Sequence, residues 1–332
     1  MKYGLIMYHE TDNIGDDIQS YATSRHLPHV DYYIDREHMH TFCPEDNRQT
    51  AVICAGWLLY EHLHWPPSPY IYPLNISMHF DTYYSRCWGR PLEDNFVLEG
   101  YGAAWLNEHG PVGARDNHTL SLLRQFHINT YFSGCITLTL NPFEGVQRHN
   151  QIIAVDISER LIRHIYAQTG QDPVCKTHKI KLAPYGAKQR FSMVEECLKC
   201  YQGAALVVTT RLHAALPAIA LGTPVLFIKD TRFFNRTQTY LSRMHSAFEE
   251  ELLSGVYPYD FRAPAPNLNL CEDIRAQITD KCSTFVSATQ DRVGEYLSPS
   301  AIMQDMKKRT EHAKALMLRN YDRQARQHEQ SK

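Results

Sequence analysis

The sequence predicts an α/β protein built on parallel sheets and divided into two halves. Three observations carry this. Leu206-Val207-Val208-Thr209 is an apolar, β-branched run, as expected of a strand covered on both faces. It feeds through Thr210-Arg211-Leu212-His213 into Ala214–Leu221, a row of small apolar residues closed by Gly222, which reads as a short helix with its stop signal. Apolar runs of the same kind recur in both halves, at Ala51–Ala55 and Ile152–Val155. A chain of 332 residues is long enough for about two domains of ~150 residues.

Taken in order, Lys2–Tyr8 is a first strand, and Asn13-Ile14-Gly15-Asp16-Asp17 turns into a helix carrying Ile18, Tyr21 and Ala22. Asp16 or Asp17 can cap that helix. The other reading of Asp16 is a carboxylate at the crevice edge where α/β sheets hold ligands. The GxGxxG pattern of a dinucleotide site is absent. Ala51–Ala55 is a second buried strand ending at Gly56-Trp57, before a long loop with Trp65-Pro66-Pro67-Ser68-Pro69. Trp57 and Trp65 serve either loop packing or stacking on a sugar ring. Leu74–Phe80 alternates apolar and polar residues, with His79 near the strand end.

Tyr101–His109 reads as a helix, and Pro111–Ala114 as a short strand. Arg115-Asp116-Asn117-His118-Thr119 then leads into a helix over Leu120–Phe126, which repeats the strand–arginine–helix pattern at Arg211. An ion pair with Asp116 would account for Arg115 without any ligand. Asn141–Asn150 is polar, contains Pro142 and Gly145, and reads as a linker. The second half holds a strand at Ile152–Asp156, a helix at Glu159–Ala167, an edge strand within Val174–Lys181 and an amphipathic helix at Arg190–Tyr201. After Leu206–Leu221 comes a strand at Pro224–Ile228, followed by Arg232 and Arg236 on the same edge. Val256–Leu270 is a proline-rich loop, and Ile302–Gln327 is a long helix with a sparse apolar face and seven Lys or Arg residues. A basic helix of this kind is usually a solvated face; the other reading is contact with an anionic membrane surface or glycan.

Bulk properties narrow the function. Net charge is −2, so no global field points to nucleic acid. No apolar run approaches the ~20 residues needed to cross a bilayer. The first residues turn polar too soon for a signal peptide, so a cytoplasmic protein is expected. Nine cysteines without regular spacing fit reduced thiols, and eighteen histidines show neither HExxH nor a zinc pattern.

The motifs then converge on a family. The chain resembles the polysaccharide pyruvyltransferases from the first strand to about Lys229. The resemblance rests on Asn13-Ile14-Gly15-Asp16-Asp17, Gly113-Ala114-Arg115-Asp116 and, above all, Thr210-Arg211-Leu212-His213-Ala214-Ala215 followed by Leu221-Gly222-Thr223-Pro224. It departs at Ala55-Gly56-Trp57, where many members carry a glycine triplet. The resemblance implies two Rossmann-like domains facing a cleft, as in GT-B enzymes. The expected spans are 1–145 on the acceptor side, 146–295 on the donor side, and a C-terminal basic helix over 296–332. It implies phosphoenolpyruvate as donor and a glycan sugar, free or lipid-linked, as acceptor. The product would be a cyclic pyruvyl ketal in surface polysaccharide biosynthesis at the inner face of the membrane. It also makes Arg115, Arg211, Leu212 and His213, with Thr210 of the same motif, the donor-site candidates.

The chemistry suits these residue types. Phosphoenolpyruvate carries a carboxylate and a phosphate around one carbon, and arginine forks match both. Arg115 and Arg211 would grip it from the two halves. Histidine titrates near neutrality, so His213 is the candidate general acid/base. Asp16 is the candidate for positioning or deprotonating an acceptor hydroxyl, with Trp57, Trp65 and His79 on the acceptor side. With cations supplied by the protein, neither a metal nor a cofactor is expected. Two other readings stay open: a nucleotide-sugar glycosyltransferase of the same architecture, and a non-catalytic glycan-binding protein.

Overall fold

A computed structural model of the chain describes residues 1–57, 64–80, 97–98, 100–231 and 234–330. In the first half, β1 (Tyr3–Met7), α1 (Ile14–Ser24), β2 (Tyr32–Asp35), β3 (Thr50–Trp57), β4 (Ile71–His79), α2 (Gly100–Glu108), β5 (Val112–Ala114), α3 (Asn117–Gln125) and β6 (Thr130–Phe132) follow one another. The second half holds β7 (Ile152–Val155), α4 (Glu159–Thr169), β8 (Val174–Lys176), α5 (Ala187–Gly203), β9 (Leu206–Thr209), α6 (Leu212–Ala220), β10 (Val225–Ile228), α7 (Phe234–Leu241), β11 (His245–Ala247) and α8 (Glu249–Leu253). Two further helices end the chain, α9 (Glu272–Gln290) and α10 (Pro299–Gln330).

The two sheets are wound alike. The first has six strands in the order β2-β1-β3-β4-β5-β6, and the second has five in the order β11-β10-β9-β7-β8. Every strand pair is parallel. Read from its other edge, the second sheet repeats the order of the first. Strand order therefore reverses twice, between β1 and β3 and between β7 and β9. In open α/β sheets, ligands sit at the carboxyl ends of the strands flanking such a reversal. Those ends carry Tyr8, Gly56 and Trp57 in the first half, and Asp156, Thr210 and Arg211 in the second.

Local chemistry accounts for the elements. The five residues of β1 and the four of β9 are all buried, as their unbroken apolar runs require. Asn13 caps α1, its Oδ1 accepting from the Gly15 N–H at 3.1 Å. Ser158 caps α4, and Gly170 ends it in the left-handed region at φ 72°.

The halves share one apolar core. Leu5, Ile18 and Ala55 of the first belong to the same buried cluster as Val207, Leu216 and Phe227 of the second, with Ile274 and Ile278 of α9. Helix α9 falls within the 146–295 span yet returns to the first sheet, where Phe285 stacks on Tyr72 with ring centroids 6.0 Å apart. Arg275 of α9 joins the halves directly, donating to the carbonyls of Leu138, Leu140 and Ala220. A buried ion pair does the same at the other side of α1. Arg190 of α5 holds Asp17 by two bonds of 2.8 and 2.7 Å, and donates to the Tyr8 carbonyl. Burial pushes the Asp17 carboxyl up to about 6 despite that pairing. Asp17 is thus a structural partner across the seam, and removing either member would strand a buried charge at a cost of about 3–5 kcal/mol.

Candidate active site

Helix α6 starts at the buried Leu212, and its N-cap, Arg211, makes no side-chain cap bond; the Arg211 N–H is taken by Thr209 Oγ1 and the Ala214 N–H by the Arg211 carbonyl. Against this end lies the first turn of α1. A Cβ added to Gly15 would come 3.0 Å from the His213 Cβ and 3.2 Å from its Nδ1. The glycine at this position is what lets the two helices meet at the imidazole. The Ile14 N–H, in turn, is satisfied by the His178 carbonyl of the second half at 2.9 Å.

Arg115 enters from the end of β5. Its side chain is 2% exposed. Nη1 donates to Gln19 Oε1 at 2.9 Å and lies 3.4 Å from His213 Nε2. A guanidinium only donates, so His213 Nε2 accepts and the neutral ring carries its proton on Nδ1. Arg115 Nε has no hydrogen-bond partner among the described residues and sits 3.8 Å from an Asp116 carboxylate oxygen. Burial, then the positive charges of Arg115 and Arg236, drives the His213 pKa well below 6.5. An arriving anion reverses the second effect.

Gln19 was not singled out from the sequence, yet it links two candidates. Its Oε1 accepts from Arg115, and its Nε2 donates to Asp16 Oδ1 at 3.4 Å. Thr11 donates to the other Asp16 oxygen at 2.6 Å. Burial raises the Asp16 pKa, opposed by Thr11 and by Arg36, Arg115 and Arg236. A helix interior carrying a buried glutamine one turn after a buried aspartate was the signal available.

His79 ends β4 beside this group. Its Nδ1 is 2.7 Å from Asp116 Oδ2, and both residues are buried. Asp116 also caps α3, its Oδ1 accepting from the Thr119 N–H at 2.8 Å. Burial alone would raise the Asp116 pKa, but His79, Arg115 and the Thr119 N–H bring it well below the usual carboxylate range. Burial lowers the His79 pKa, with Asp116 opposing. The pair is therefore a carboxylate accepting from a neutral imidazole.

The other candidates separate. Arg211 is half-buried, and its Nε donates to Asp156 Oδ2 at 2.6 Å. Thr210 Oγ1 donates to the Asp156 carbonyl at 2.9 Å. Asp156 stands at φ 51°, just past β7, and its carboxylate also accepts from Thr177 and from the His178 N–H. Leu212 is buried in the shared core. Trp57 lies edge-on to His79, ring centroids 6.2 Å apart. Trp65 lies in the core of the first sheet, edge-on to Trp105 at 5.1 Å and 6% exposed. Arg232 lies outside the described residues. Among the described residues no group of histidine, cysteine and acidic side chains is placed to hold a metal ion, and no helix is long and apolar enough to cross a membrane.

Site chemistry follows from this inventory. Arg115, Arg236 and Arg36 all act on Asp16 from close range, while burial pushes that carboxyl toward neutrality. Glu37 pairs with Arg36, and Asp116 lies beside Arg115, so the cluster mixes cations and carboxylates around two neutral imidazoles.

Comparison with solved structures gives weak likenesses. An uncharacterised protein, KP1_0663, from Klebsiella pneumoniae subsp. pneumoniae NTUH-K2044 is 13% identical, covering 77% of this chain and 90% of its own, at TM-score 0.39. The Methanocaldococcus jannaschii UDP-GlcNAc 2-epimerase is 12% identical, covering 94% of this chain and all of its own, at TM-score 0.34. The wall teichoic acid polymerase TagF is 11% identical over 65% of this chain and 61% of its own, at TM-score 0.24. No curated protein matches the chain. Residues 13–230, well over half of the chain, match the family described as polysaccharide pyruvyl transferase. That span includes Asp16, Gln19, His79, Arg115, Asp116, Arg211 and His213, so the chain belongs to the polysaccharide pyruvyl transferase family.

Proposed function

We propose that this protein transfers the pyruvyl group of phosphoenolpyruvate to two hydroxyls of a glycan sugar, forming a cyclic ketal and releasing phosphate. The observation that carries the reading is Arg115: a buried guanidinium whose Nε makes no hydrogen bond among the described residues, set against His213 in the first turn of α6. A buried cation needs a strong reason, and a multiply charged donor anion supplies one.

In this reading Arg115 binds the donor from the first half. Arg211, oriented by Asp156, approaches from the second. The first-turn N–H groups of α6 receive phosphate charge as the bond to carbon breaks. The bound anion raises the His213 pKa, so the imidazole takes up a proton and delivers it to the methylene carbon. Asp16, held by Thr11 and Gln19, positions the acceptor. The first half forms the acceptor side within 1–145, and the second, within 146–295, the donor side.

Replacing His213 with alanine should lower turnover by about 10²–10⁴-fold with an unchanged circular dichroism spectrum and melting temperature. Phosphate release is followed on mixing with phosphoenolpyruvate and a panel of galactosides, glucosides and mannosides, and the pyruvyl gain is read by mass. Near-normal turnover of His213→Ala at saturating donor would remove histidine from the chemistry. No phosphate release by the wild-type protein on any acceptor, with binding of a nucleotide sugar instead, would overturn the reading as a whole.

A further inference from the structure

His79 has one ring nitrogen committed and one not. Nδ1 faces Asp116 at 2.7 Å, and Thr119 Oγ1 lies 3.1 Å away. Nε2 is buried and has no hydrogen-bond partner among the described residues. A buried imidazole that served only packing would gain by satisfying both nitrogens. Here a charged residue that also caps a helix holds one nitrogen, and the opposite lone pair is left without a hydrogen bond among the described residues. The carboxylate fixes the tautomer, since an ionised Asp116 can only accept, so Nδ1 carries the proton and Nε2 is the base.

Its surroundings place it in the same cluster. Arg115 is adjacent to Asp116 in sequence and its Nε lies 3.8 Å from the carboxylate. The charges acting on His79 are Asp116, Arg115 and Arg236, and His79 is in turn felt by His213. Trp57, at the end of β3, stands edge-on to the ring. Two imidazoles thus flank Arg115, one at each half.

Resting on the pyruvyltransferase reading above, we propose that His79 is a second catalytic proton-transfer residue, which takes the proton from an acceptor hydroxyl, and that Asp116 is its positioning residue.

The reaction needs two proton routes. Both hydroxyls of the acceptor lose a proton as their oxygens bond to the central carbon of the donor. One proton ends on the former methylene carbon, which becomes a methyl group. The other leaves with the phosphate, whose bond to that same carbon through oxygen breaks. Charge balances: the trianionic donor and neutral diol give a monoanionic ketal and a hydrogenphosphate dianion. His213, in the first turn of α6, gives a proton to the carbon and regains one from the other hydroxyl. His79 collects from the hydroxyl and passes its proton on to the departing phosphate, returning to the neutral base.

Three proteins test this: wild type, His79→Gln and Asp116→Asn. The asparagine can still cap α3 but removes the negative charge. His79→Gln should lower kcat by about 10²–10³-fold while the donor KM stays within about threefold. Asp116→Asn should lower kcat by about tenfold or more, and should move the acidic limb of the kcat/KM profile to lower pH. The sign follows because Asp116 raises the His79 pKa, so its loss makes the base harder to protonate. A merely structural role would lower the melting temperature and leave that limb in place. Near-wild-type kcat in His79→Gln overturns the proposal, as does an unmoved limb in Asp116→Asn; if His79→Gln fails to fold, Asp116→Asn decides alone. Failure of the broader reading looks different, since the wild-type protein would then release no phosphate from phosphoenolpyruvate with any acceptor.

Discussion

Two junctions in this molecule look alike in sequence and differ in structure. Each is a strand, an arginine and a helix: β5 to Arg115 to α3, and β9 to Arg211 to α6. At the first, the residue after the arginine is Asp116, which fills the helix end as its cap. At the second, it is Leu212, and the N-cap, Arg211, makes no side-chain cap bond. The arginines divide the other way. Arg115 is sealed from solvent, its Nε 3.8 Å from Asp116 and without a hydrogen bond among the described residues, whereas Arg211 is about a third exposed and hydrogen-bonded to Asp156. One junction thus carries a buried cation beside a capped helix end, and the other a cation already paired with a carboxylate. In the proposed reading they supply the two sides of one donor site.

The sharpest way to break this comparison is to remove each arginine in turn. Arg115→Ala should cost about 10³-fold in kcat/KM for the donor, on the order of 4 kcal/mol. Arg211→Ala, losing a solvent-screened and already paired cation, should cost about tenfold. Steady-state kinetics with varied phosphoenolpyruvate decides; equal losses would show that burial does not separate the two.

A second measurement concerns acid. His26 and His178 are held neutral by burial, their pKa values lowered to about 4, and His213 is lowered too. The unfolded chain binds protons at these groups below about 6.5, where the folded chain does not. Stability from these groups is therefore complete above that pH and is lost as pH falls from 6.5 toward 4. Asp17, pushed up to about 6, and Asp16, also raised by burial, act in the opposite sense but are two groups against several. The urea midpoint should fall between pH 7 and pH 5, by a free energy on the order of a few kcal/mol. A midpoint that holds or rises would mean these imidazoles are not buried neutral.

The smallest expected effect is at the contact between the junction helices. Gly15→Ala places a methyl group 3.0 Å from the His213 Cβ, which must give by a few tenths of an ångström. We expect a threefold to tenfold loss of kcat, on the order of 1 kcal/mol, with little change in melting temperature. Unchanged kcat would show that the imidazole has room to spare.

Much of the fold was legible because buried parallel strands announce themselves as apolar runs. Tyr3–Met7, Thr50–Trp57, Ile152–Val155 and Val225–Ile228 all lie where those runs stand. The long helix α9 was not read, because its buried residues, Ile274, Ile278 and Cys282, are separated by a mostly polar sequence and its packing partners lie in both halves. The edge strands β2 and β11 were missed for a related reason: Tyr32–Asp35 and His245–Ala247 are short and only partly buried. At the site, Arg115, His213 and Asp16 stood out as polar residues at strand ends. Gln19, His79 with Asp116, and the pairing of Arg211 with Asp156 depend on contacts between residues 37 or more positions apart, or on which face of α1 turns inward. Spacing along the chain does not carry that information.

The ion pair between Asp17 and Arg190 bears on how a substrate reaches the buried cation. Both members are at most 2% exposed and come from opposite halves. Swinging the two sheets apart as rigid bodies would leave a carboxylate and a guanidinium unmatched, and would part Arg275 from the carbonyls of one half, either Leu138 and Leu140 or Ala220. The seam therefore behaves as a bolted joint, and a route to Arg115 must leave that joint closed.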